Sequence, residues 1–157
     1  MPLRYFLNEN RADLVERCRL KVLKRSGPHP AWDEKNNGIP LFLAQLIEML
    51  DLDADSDVFD ITRESAPKKI LSTRIAATAR KHARTLRDRG LTADQVVHDY
   101  GDLCQAITEL AFERNAEVSI SEFHTLNRLL DNAIAAAITE YALGSGFAPG
   151  SHQPAGA

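Results

Sequence analysis

The apolar positions between Leu91 and Leu143 fall into two rows of helical spacing. Val96, Tyr100, Leu103, Ile107 and Leu110 follow steps of 4, 3, 4 and 3, which is one face of a helix. Phe123, Leu126, Leu130, Ala133, Ala137 and Tyr141 follow steps of 3, 4, 3, 4 and 4. Each row opens on a capping-box signature, Thr92-Ala93-Asp94-Gln95 and Ser119-Ile120-Ser121-Glu122. In such a box a hydroxyl takes an orphan amide and the Gln or Glu reaches back. Gly144 follows the second row and is expected to supply a left-handed stop. Only Asn115 to Val118 separates the rows, so they should form a long antiparallel hairpin.

The upstream pattern predicts three more helices after a short extended arm over residues 1–7. The first is capped by Asn8 or Asn10, runs to about Arg25 and turns Leu14, Cys18 and Val22 inward. Pro28-His29-Pro30 cannot continue it. Trp32 follows in a connector and is expected to plug one end of the bundle. The second helix starts at Pro40, ends near Leu50 and carries Leu41, Phe42, Leu46 and Met49. The third is capped by Ser65, has Pro67 in its first turn and stops at Gly90. Its apolar row is Leu71, Ile75, Ala79, His82 and Leu86. The expected class is all-α with five helices, one domain over residues 1–144. Residues 145–157 are Gly- and Pro-rich and read as a disordered tail.

Charge changes this picture in one respect. The net charge of −3 is the sum of four blocks. Residues 1–30 carry +4, 31–64 carry −7, 65–91 carry +7 and 92–157 carry −7. Alternating blocks favour attraction between neighbouring segments. The basic third helix therefore reads as a face that meets acidic segments rather than nucleic acid. It has no aromatic side chain for base stacking. Length suits one domain with a single core. Cys18 and Cys104 sit on apolar helix faces and read as small core hydrophobes of a reducing compartment. No apolar run approaches the ~20 residues of a membrane span, and the N-terminus lacks the apolar core of a signal peptide. A cytoplasmic location with no membrane partner is the expectation.

Candidate chemistry is sparse. Asp51-x-Asp53-x-Asp55 resembles the start of a calcium loop, but Ser56 and Thr62 occupy its turn and bidentate positions. The segment reads instead as an acidic loop facing the basic helix. His82, on an apolar row, reads as a core histidine with a hydrogen-bond partner rather than a haem ligand, since no second ligand is placed. His98, with Asp94 and Asp102 four residues either side, has metal-site spacing that is common by chance. No Gly-rich phosphate loop, serine elbow or Cys-x-x-Cys is present. His82 to Arg87 lacks the acid and the proline of a kinase phosphoacceptor segment. No enzyme, metal or cofactor is expected.

Two stretches carry a resemblance, Gly90 to Leu110 and Phe123 to Ile134, including the run Val97-His98-Asp99-Tyr100-Gly101-Asp102-Leu103-Cys104-Gln105. They resemble the N-terminal sensory domain of certain bacterial sensor histidine kinases, related to the N-terminal domain of RsbR-type stress co-antagonists. The resemblance is close over residues 70–141 and looser before. It implies a globin-related bundle without haem, dimeric, placed ahead of a signalling output. A family kinase continues into its transmitter where this chain reads as a Gly/Pro tail. The resemblance supplies no catalytic residue. The motif positions it marks are His98, Asp99, Tyr100, Asp102, Asn127 and Asp131. Asp99 and Tyr100 on one helix, and Asn127 and Asp131 on the next, are expected to satisfy each other. They would either lock the hairpin register or line a small-molecule pocket between helices.

The last helix also carries Ala133, Ala135, Ala136, Ala137 and Ala142, with Ile134 and Ile138 beside its main row. A second apolar stripe asks for a second partner. A homodimer through Ile134, Ala137, Ile138 and Tyr141 is therefore expected, in a non-catalytic domain that biases a kinase or stress regulator. A small-ligand sensor is the alternative.

Overall fold

The computed structural model describes residues 1–25, 38–54 and 65–144. Those residues form six α-helices and no strand: α1 Leu3–Glu9, α2 Arg11–Lys24, α3 Gly38–Ala54, α4 Ala66–Asp88, α5 Ala93–Glu113 and α6 Ile120–Gly144. Trp32, Asp55 and the expected tail lie outside the described residues.

The extra helix is α1, at the position expected to be an extended arm. Leu3, Phe6 and Leu7 have i, i+3, i+4 spacing, and all three are buried. Asn10 breaks α1 from α2. Its side-chain amide donates to the Phe6 carbonyl at 2.7 Å.

Helix α3 is longer than expected and is apolar on most of its surface. Ile39, Phe42, Leu43, Leu46, Ile47, Met49 and Leu50 are buried, whereas Leu41 is exposed. It contacts all five other helices and is the centre of the core. Its last turn takes up Asp51 and Asp53, which pair with Arg4 and Lys68 at 3.1 and 2.7 Å. These two carboxylates of the calcium-like segment thus serve the chain's own cations.

The third predicted helix is α4, and its whole expected row is buried. Gly90 ends it with φ 79°. The Leu91 amide donates to Leu86 and the Gly90 amide to Arg87, at 3.0 and 2.9 Å, a Schellman stop. Asn115, φ 52°, ends α5 in the same way, with the Ala116 amide on Ala111 at 2.8 Å. Gly144 does not follow suit. It is the last residue of α6, without a positive φ, and Arg87 lies so close that a Cβ would meet its guanidinium.

One capping box forms and one does not. The Glu122 amide donates to Ser119 Oγ at 3.1 Å, and the Ser119 amide to Glu122 Oε1 at 3.0 Å. Glu122 Oε2 also takes the Leu3 amide at 2.6 Å, tying α1 to α6. Thr92 makes no cap bond. Its hydroxyl serves Asp94, which holds that carboxyl below its ordinary range.

The α5–α6 hairpin is present, yet α6 packs most extensively on α4, and α2 packs along α5. The charge blocks explain the second pairing. Arg17, Lys21 and Arg25, spaced by four along α2, meet Glu113, Glu109 and Asp102 in antiparallel order on α5. Arg84 meets Glu140 across α4–α6, and Arg74 meets Glu48 across α3–α4.

Candidate functional site

Among the described residues, a group of buried ionisable side chains lies where α2, α4, α5 and the start of α3 converge. The Schellman stop at Gly90 folds α5 back beside α4, which brings Asp99 to His82. Asp99 Oδ2 lies 2.9 Å from His82 Nε2, and both side chains are buried. The other ring nitrogen, Nδ1, is 3.2 Å from the Gly38 amide. That amide can only donate, so Nδ1 carries no proton and Nε2–H donates to Asp99. His82 thus joins three helices through its two ring nitrogens. Gly38 is close enough that a Cβ there would sit 2.7 Å from His82 Cβ.

Arg25, at the end of α2, closes the group. Its guanidinium binds Asp102 and stands 4.0 Å from Asp99 Oδ1. Burial pushes the Asp102 carboxyl above its ordinary range, against the opposing pull of Arg25. Tyr100 packs edge-on against Phe42 at 5.3 Å and against His82 at 5.7 Å. Its hydroxyl is buried without a hydrogen-bond partner among the described residues. Burial, then the charge of Asp99, raises its pKa above the ordinary phenol value. Burial and the two carboxylates push the Cys18 thiol from 9.0 up to about 12. At neutral pH it is a protonated, poor nucleophile.

The expected residues divide. Asp99, Tyr100 and Asp102 are in this group. His98 is exposed on the other side of α5, and Asp102 has turned inward to Arg25, so the Asp94, His98, Asp102 metal spacing is not assembled. Asn127 and Asp131 are exposed on α6 and do not serve Asp99 or Tyr100. The reason is the side of α6 that α4 and α5 cover. Leu126, Leu130, Ala133 and Ala137 turn inward, which leaves the residue after each leucine outside.

The expected dimer stripe also finds cover within one chain. Ala137 is fully buried. Ile134, Ile138 and Tyr141 are partly buried against the same core. The Tyr141 hydroxyl donates to the Leu91 carbonyl at 2.7 Å. Within one chain α6 lies chiefly along α4, and Ile134 and Ile138 keep part of their surface.

Sequence reasoning missed Arg25 and a second polar group. Lys68 is buried and pairs with Asp53 Oδ1 at 2.7 Å, without hydrogen-bond alignment. Thr125 donates to Asp53 Oδ2 at 2.6 Å. The signal for Lys68 was its place three residues before Leu71, on the α4 apolar row. A cavity of about 90 Å³ lies beside Asp53 and Thr125. An open cleft of about 560 Å³ separates Met1, Phe6 and Glu9 from Arg114 to Glu117. No family model, no curated protein and no solved structure matches the chain.

Proposed function

We propose that this chain is a non-catalytic sensory or regulatory domain of bacterial signal transduction, of two-component or general stress type. In this reading it is globin-related, works in the cytoplasm, and acts by dimerising and engaging a kinase or stress regulator. The resemblance over residues 90–110 and 123–134 motivates it. The observation that carries it is the outward side of α6. Ile134 and Ile138 retain part of their surface there, beside exposed Ala135 and half-buried Ala142. Small and apolar residues on that side let a second helix approach closely.

Sedimentation of the wild-type chain at high micromolar concentration tests this. A dimer that Ile138→Glu converts to a folded monomer supports the reading. A wild-type monomer sinks it, and an unfolded Ile138→Glu variant assigns Ile138 to the core instead. The ligand-sensor alternative draws on the open cleft between α1 and the α5–α6 turn. It predicts a metabolite that raises the melting temperature, an effect lost in Arg114→Glu.

A further inference from the structure

We propose that His82 is a proton-operated latch that holds the start of α3 against α4 and α5 only while its ring is neutral. The latch works within one chain, whether or not that chain dimerises. Its geometry has two faces. Toward Asp99 the ring donates through Nε2 at 2.9 Å. Toward Gly38 it accepts through Nδ1 at 3.2 Å. A proton added at Nδ1 turns that acceptor into a donor, so two N–H groups then face each other across the contact. Nothing changes at Nε2, where the carboxylate gains an imidazolium partner. Protonation therefore strengthens the α4–α5 link and breaks the α3 link.

The surroundings supply both the drive and the resistance. From α5, Asp99 and Asp102 bring two negative charges, and the Tyr100 ring packs on the imidazole. From α2, Arg25 brings one positive charge, and Cys18 is protonated. Lys21 is engaged by Glu109. From α3 come only the Gly38 amide and the uncharged Phe42 ring beyond Tyr100. From α6, Glu140 is held by Arg84 and the Arg87 side chain lies on its carbonyl. Among the described residues the group is one positive charge short of neutrality, and a proton on His82 supplies it. The competing acceptor is Asp102, whose carboxyl burial already pushes upward. The absence of a Cβ at Gly38 lets the backbone come this close to the ring.

The test is an NMR titration of the full chain labelled with ¹⁵N. At neutral pH the His82 ring is expected as the Nε2–H tautomer. On acidification Nδ1 should gain its proton, and the Gly38 amide should shift with the same midpoint and lose roughly three- to tenfold in protection relative to the intrinsic exchange rate at each pH, the worth of one hydrogen bond. His82→Gln keeps an acceptor but cannot titrate, and should abolish the Gly38 response. Asp102→Asn removes one of the two negative charges and should move the Gly38 midpoint to lower pH without abolishing the response. The proposal is overturned by an Nδ1–H tautomer at neutral pH, or by a His82 titration that leaves Gly38 unmoved. It is equally overturned by a Gly38 response that disappears in Asp102→Asn, or by a ring that stays neutral until the chain unfolds.

Discussion

His82 on α4 and Asp99 on α5 face each other at 2.9 Å inside the core, and each completes the other's hydrogen bonding. Removing one partner leaves the other buried and uncompensated. Asp99→Ala strands the Nε2–H of His82 and leaves Arg25 with one carboxylate instead of two. A loss of about 3–5 kcal/mol is expected, read by urea denaturation at neutral pH. A loss below 1 kcal/mol would show that the pair contributes little.

Gly38→Ala tests the close approach of α3 to α4. The added Cβ meets His82 Cβ at 2.7 Å, with no flexible side-chain end to yield. The backbone or the ring must shift, at a cost of about 1–3 kcal/mol. Gly101 is the control, since a Cβ there meets nothing within 4 Å. Gly101→Ala is expected to be neutral or stabilising, because alanine is the better helix former by about 1 kcal/mol.

The α2–α5 ladder should be uneven in strength. Lys21 and Glu109 pair in partial exposure, where Coulomb gain is screened and side-chain ordering opposes it. Lys21→Ala should cost less than about 1 kcal/mol. Asp102→Ala should cost several-fold more, because Arg25 beside the core then keeps, among the described residues, only the distant Asp99 oxygen. Thermal melts of both variants at low and high salt separate the two cases. Salt should weaken only the outer pair.

Cys18 gives the alkaline behaviour a definite sign. Its folded pKa is raised from 9.0 to about 12. Between those values the unfolded chain has lost the thiol proton and the folded chain has kept it. The stabilisation is complete below about pH 9 and is lost as pH climbs toward 12, by about 1.4 kcal/mol per pH unit for one proton. Tyr100, also raised, acts in the same sense at still higher pH. Denaturation curves at pH 8 and pH 11 should differ less for Cys18→Ala than for wild type. Alkylation at pH 8 should reach Cys104, which is less buried, before Cys18.

Much of the helical plan was local and therefore legible. The α4 row, the Gly90 stop and the Ser119–Glu122 box depend on residues within one or two turns of each other. Their spacing states the outcome directly. The arm expected over residues 1–7 was misread although Leu3, Phe6 and Leu7 carry helical spacing. A seven-residue helix has little stability of its own, and its place comes from burial against α3 and the Glu122 bond. The charge blocks announced that α2 and α4 would meet acidic partners. They could not say which carboxylate would meet which cation.

By itself the amino-acid sequence determined the class, the helices from α2 to α6 to within a few residues, and which side of α4 and α5 turns inward. Periodicity and helix stops decide these, and both are properties of short stretches. Only the tertiary structure decided that α6 lies chiefly along α4, that Asp99 answers His82 rather than Asn127 or Asp131, and that Arg25 closes the group. Those outcomes depend on crossing positions between segments up to 77 residues apart. Several pairings satisfy the same pattern of apolar rows, and packing of the other five described helices around α3 selects one of them.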